Sequence, residues 1–189
     1  MAASMTDRRE PGTRVTPMTR ERRVAWILIF IVGAGFAAWG AMAAALPDYL
    51  AGPGGRPILP AGYEGFSGGS WAELARTSPM TAGYISVVFR MYGVFNVVFG
   101  LMSIAITVTS FRRGEAWAWL ALLVGNTVAL VSAMTYDRSV NAIGPFEVSE
   151  YLGLALVWGA LAVTAPFRAA ARPLQLETET PGDTLRRRA

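Results

Sequence analysis

Four apolar runs, at roughly residues 24–46, 84–111, 116–135 and 146–165, take up about half of the 189-residue chain and constrain its fold more than any other feature. A hydrocarbon core of ~30 Å takes about 20 helical residues at ~1.5 Å each, so each run is long enough to cross it. The fold expected is all-α: a polytopic membrane protein built as a bundle of four transmembrane helices.

Charge gives the orientation. Of 17 basic residues, six precede the first run (Arg8, Arg9, Arg14, Arg20, Arg22, Arg23), two lie between the second and third (Arg112, Arg113) and five follow the fourth. Cytoplasmic segments retain Lys and Arg, so an even number of spans with 13 of 17 basic residues on one side predicts both termini inside. The expected layout is a disordered Arg-rich segment over 1–23, a transmembrane domain over 24–167 with an external loop at 47–82, and a disordered tail over 168–189. The first run exceeds the ~7–15 residues of a signal-peptide core, which favours a retained anchor over a cleaved signal.

The chain has no Cys and no His. Disulfide exchange, thiolate nucleophiles, iron–sulfur clusters, His-ligated haem, ordinary zinc sites and His acid–base catalysis are therefore excluded. No metal or other cofactor is expected. All basic residues are Arg, and with abundant Ala and Gly this points to a GC-rich, bacterial coding genome. The net charge of +4 comes from residues beside span ends, where anionic inner-leaflet lipid is the nearer partner than nucleic acid.

The loop at 47–82 is rich in Pro and Gly, so most of it is expected to be irregular. Within it, Ser70 and Glu73 match a capping box and predict a short helix from about Trp71 to Arg76. Ser78 followed by Pro79 reads as a second helix start, which would let span two begin above the bilayer.

Spans two and three are joined by a tight reversal, Arg112-Arg113-Gly114-Glu115-Ala116-Trp117-Ala118-Trp119, with the Trp residues placed as inner-leaflet anchors. This turn resembles that of uncharacterised small bacterial four-span integral membrane proteins, broadly DoxX-like in layout. The resemblance implies architecture and carries no site.

In span two, Ser86, Arg90, Gly93, Asn96, Gly100, Ser103 and Thr107 recur at three- and four-residue spacings and form one helical stripe. Small and weakly polar residues gather where membrane helices approach closely, so the stripe is expected to face other helices. Span three offers Ala118, Ala121, Gly125, Ala129 and Ser132 as a matching surface, with Asn126 beside it; span one offers Gly33, Ala37, Gly40 and Ala41.

Stepping about 20 residues back from Phe111 brings the outer edge of span two to roughly Met91, so Arg90 sits at the outer boundary. Asp137, Arg138, Glu147 and Glu150 fall near the same plane. The candidate binding residues are Arg90, Asn96, Asn126, Asp137, Glu147 and Glu150, lining a shallow outward pocket roofed by the first loop, with Arg90 and Glu150 as the expected ion pair. The competing account makes Glu147 and Glu150 ordinary first-turn carboxylates after Gly144 and Pro145. No nucleophile with a partner base is visible, so no catalytic residue is assigned.

Three functional readings follow. The first is a non-enzymatic accessory or partner-binding subunit, taking a protein partner or a second copy of itself. The second is a binding protein or carrier for a small lipid or polar solute at the outer face. The third is a lipid-modifying membrane enzyme.

Overall fold

The computed structural model describes residues 19–48, 50, 56–140 and 145–166, with the side chains of 145–147 left aside. The described residues form six α-helices and no strand: α1 (Arg20–Ala45), α2 (Ile58–Ser67), α3 (Trp71–Thr77), α4 (Pro79–Ile106), α5 (Ala116–Ser139) and α6 (Pro145–Val163). A π-helical turn over Thr107–Phe111 continues α4 to the reversal. Three helices, Arg20–Ala45, Pro79–Phe111 and Ala116–Ser139, are long and apolar enough to cross a membrane, while α6 contributes the shorter apolar stretch Val148–Val163.

α1 starts at Arg20, four residues before the apolar run, so Arg20–Arg23 are helical rather than part of a disordered 1–23 segment. The reason is local: the Thr19 side chain accepts from the Arg22 amide and Glu21 supplies first-turn negative charge. The remainder of the two expected disordered tails lies outside the described residues.

α1 and α4 form the tightest pair. A Cβ on Gly40 would lie 2.6 Å from the Gly93 carbonyl oxygen, one on Gly93 2.5 Å from the Ala44 amide nitrogen, and one on Gly100 2.6 Å from the Ala37 amide nitrogen. Two backbones approach this closely only because side chains are missing on both. The polar stripe of span two therefore meets span one. Span three does not take that surface, as had been expected of its Ala and Gly residues. A Cβ on Gly125 of α5 would instead meet the Phe99 ring at 3.4 Å, and Phe99 meets Phe36 edge-on at 5.0 Å between ring centres. α4 and α5 are thus antiparallel neighbours held apart by aromatic rings.

Two apolar clusters bracket this middle layer. At the Arg-rich end, Ala25 and Ile29 of α1, Phe111, Ala118 and Leu122 of α5, and Val157, Ala160 and Leu161 of α6 are all buried together. Indole nitrogens stitch α5 to α6: Trp119 donates to the Leu161 carbonyl at 2.8 Å and Trp158 to the Thr127 hydroxyl at 2.9 Å. At the opposite end, Ala43, Leu59 and Phe89 form a second cluster flanked by Trp39, Ile58, Trp71 and Ile85.

That second cluster corrects the expectation of an irregular first loop. Ile58–Ser67 is a helix despite Pro60, Gly62 and Gly65. Pro60 falls in the first turn, where its missing N–H costs nothing, and burial of Leu59 against α1 and α4 outweighs the poor propensity of the glycines. The Glu64 carboxylate ties the cap together, accepting from Arg56 at 2.7 Å and from the Trp71 amide at 3.2 Å, with Trp71 edge-on to Tyr63. α3 has the expected Ser70 cap, whose hydroxyl accepts from the Glu73 amide, and α4 has Pro79 in its first turn.

Candidate functional site

Helix lengths place the end opposite the Arg-rich turn. From Phe111 back to Arg90 is about 22 residues, roughly 33 Å of helix, close to one hydrocarbon thickness. α1 ends at this level, because the Arg90 guanidinium donates to the carbonyls of Ala44 at 2.8 Å and Ala45 at 3.3 Å. α5 ends there too: the Tyr136 ring lies 6.4 Å from the Tyr92 ring, and the helix stops at Ser139.

Arg90 does not cross to Glu150. Its side chain remains 44% exposed and turns to the carboxyl end of α1, where the helix dipole and unpaired carbonyls favour a cation, with Asp48 at 4.0 Å. The sequence reading missed the nearer acceptor because a helix end displays no acidic residue. Asn96 is buried in the α1–α4 contact beside Gly40, and its Nδ2 donates to the Tyr92 carbonyl at 2.9 Å. Asn126, 1% exposed, likewise donates to its own helix at Leu122, and its Oδ1 is enclosed without a donor.

Asn96 is tied to the Tyr92 main chain, and Asp137 follows Tyr136, whose ring lies against that of Tyr92. Of the six residues singled out from sequence, Asn96 thus contacts Tyr92 directly, and Asp137 stands beside the Tyr136 ring that packs on it. Arg90 faces α1, Asn126 lies deeper, and the side chain of Glu147 is outside the described residues. Tyr92 and Tyr136 were not singled out, although Tyr92 lies four residues before Asn96 and Tyr136 adjoins Asp137. Tyr92 also meets Trp39 edge-on at 5.6 Å, and the Tyr136 hydroxyl fills the space before Gly62, so α2 closes over this aromatic group. Beside it, Arg138 donates to the Tyr151 hydroxyl at 2.6 Å and links α5 to α6. Among the described residues no group of three or more carboxylates could hold a metal ion.

A second feature stands above this level. α4 begins at Pro79, so about 11 of its residues, roughly 16 Å, project beyond the ends of α1 and α5. On that projection Met80 is 89% exposed and Tyr84 70%, followed at helical spacing by exposed Val87, Val88 and Met91; Phe66 at the end of α2 is 72% exposed.

Among the described residues the fold is all-helical, with three helices long and apolar enough to cross a membrane and with two ends that differ: an Arg-rich end closed by one tight turn and an opposite end that carries two short helices. No family model matches the chain, and neither curated proteins nor solved structures contain a significant match.

Proposed function

We propose that this chain is a non-enzymatic subunit of a bacterial cytoplasmic membrane with four spans, both termini cytoplasmic, and a partner-docking cap facing outward. α6 supplies the fourth span: its 19 residues extend about 28 Å, close to the hydrocarbon thickness. The arginine distribution supports the orientation.

The observation that carries the docking reading is the exposed apolar face of the α4 projection. Within the hydrocarbon an exposed Val or Phe meets lipid and is unremarkable, but Met80 and Tyr84 lie more than one helical turn beyond Arg90, outside it. The face then continues into the membrane through Met91, Phe95, Val98 and Met102, so one partner helix could follow it from the outer surface into the bilayer. The polar groups deeper in the bundle, Asn96, Asn126 and Thr107, each donate to carbonyls of their own helix, which accounts for their donors without a solute.

The test is purification from its native membrane in mild detergent, with Met80→Asp/Tyr84→Asp compared with the unaltered chain. The expected result is a protein partner, or a second copy, at fixed stoichiometry that the double variant loses while keeping its melting temperature. Purification of the unaltered chain alone and monomeric would refute the docking reading. A second reading, a binder of small polar solutes or lipid headgroups, is favoured by the Tyr92–Tyr136 ring pair beneath α2, with Asn96 bound to the Tyr92 main chain below it. Its signature is a small molecule retained by the purified protein and released by Tyr92→Phe.

A further inference from the structure

The Arg-rich end carries a site that the outer cap does not involve. The reversal between α4 and α5 is closed by Gly114 in the left-handed region, φ +83°, with its amide donating to the Phe111 carbonyl and that of Glu115 to the Ser110 carbonyl. Glu115 is fully engaged: its two oxygens accept from Arg113 Nε and Trp117 Nε1, each at 2.6 Å. It neutralises Arg113 and leaves Arg112 without a carboxylate.

Two guanidinium groups flank the junction between this turn and α1. Arg22 lies over Gly114, with Nη1, Cζ and Nη2 between 2.9 and 3.2 Å from the position a Cβ would take. One turn along the same face of α1 is Trp26, and Arg112 stacks over its ring at 6.0 Å. Neither Arg22 nor Arg112 has an ion-pair partner among the described residues, where the salt bridges are Arg56 with Glu64, Arg90 with Asp48 and Arg113 with Glu115. Trp26 Nε1 is enclosed and meets no acceptor. Two like charges held at one junction, neither paired with a carboxylate among the described residues, are arranged for an anion.

We propose that Arg22 and Arg112 clamp the phosphate of an anionic phospholipid, in the leaflet on the Arg-rich side, at the α1–turn junction. The source is lipid because the junction sits at one end of the ~33 Å bundle, level with the exposed Trp117 ring, where phosphates of the bilayer lie. Arg22 reads the phosphate over the glycine, which only a residue without a side chain leaves open, and Arg112 is held in place by the Trp26 face.

The test uses the full chain in dodecyl maltoside with added phosphatidylglycerol, phosphatidylcholine or inorganic phosphate, read by melting temperature and by native mass spectrometry. Phosphatidylglycerol should raise the melting temperature and stay bound, with phosphatidylcholine and millimolar inorganic phosphate doing neither. Arg22→Gln/Arg112→Gln should abolish the shift and Arg23→Gln should retain it. Equal retention of the two lipids by the unaltered chain, a shift as large with inorganic phosphate, or a shift unchanged in the double variant would each overturn the assignment. The first two readouts need no variant, so misfolding of the double variant leaves the proposal testable.

Discussion

Replacing Gly93 with Ala adds one methyl group where the α1 backbone already stands. The new Cβ would lie 2.5 Å from the Ala44 nitrogen, 2.7 Å from the Gly40 oxygen and 3.0 Å from the Ala43 carbonyl carbon, against an ordinary contact of 3.4–4 Å. All three atoms are main chain, so no rotamer change relieves the overlap and the helices must part by roughly 1 Å. Overpacking of this kind costs about 1–3 kcal/mol, offset by up to ~1 kcal/mol from the better helix propensity of Ala. The propensity gain is removed by comparison with Gly35→Ala, a position in α1 where a Cβ meets nothing within 4 Å. The difference between the two variants isolates the clash and should be about 1–3 kcal/mol in equilibrium unfolding from mild detergent. Gly40→Ala should behave like Gly93→Ala, and the double variant should cost less than the sum, because one separation of the helices accommodates both methyl groups. Agreement of Gly93→Ala and Gly35→Ala to within ~0.5 kcal/mol would refute the close contact of α1 and α4.

Three further outcomes are expected. In a Cys-free background, Cys at Ser67 or Ser139 should react with an impermeant thiol reagent in intact cells and Cys at Ala116 should not; the reverse pattern would invert the topology. Hydrogen bonds from Arg113, Ser110 and Trp117 hold the Glu115 carboxyl below its ordinary range, so their stabilisation is complete above that range and is lost as pH falls through it to the lowered folded-state value. The melting difference between the unaltered chain and Glu115→Gln should accordingly shrink in acid, and a difference independent of pH would count against the network. Arg90→Ala should cost about 1 kcal/mol, coupled to Asp48→Asn but additive with Glu150→Ala; strong coupling to Glu150 in a double-mutant cycle would contradict the observed geometry.

The carboxyl ends of the first two long apolar helices were legible because the apolar runs end there: α1 stops at Ala45 and the π-helical turn after α4 at Phe111, against expected limits of 46 and 111. α2 was not legible. Its composition of Pro and Gly describes local backbone preference, whereas the helix is held by Leu59 in a cluster with Ala43 and Phe89, residues 16 positions before it and 30 after. The pairing of Arg90 failed for a related reason. Sequence displays ionisable groups, and Glu150 was the visible acid at the right depth, but the acceptors in the fold are two main-chain carbonyls that every helix end exposes.

The partner of the span-two stripe, by contrast, is written in the sequence, in the spacing of glycines rather than in residue class. A small-residue stripe states that a face is close-packed, and Ala and Gly occur on every candidate neighbour. Glycine spacing is more discriminating. Gly93 and Gly100 are seven residues apart, two helical turns, and a partner must offer gaps at that same interval to admit both backbones. α5 has the single Gly125, and α6 has Gly153 and Gly159 six apart, which fall on different sides of the helix. α1 has Gly33 and Gly40, seven apart, and in an antiparallel pair Gly33 meets Gly100 while Gly40 meets Gly93, the register observed. That register carries Ala44 and Ala45 to Arg90 at one end. It also carries Arg22 down to Gly114 at the other. The glycine interval therefore positions both ends of the molecule, and a one-residue slip between α1 and α4 would separate Arg90 from its carbonyls and Arg22 from the turn together.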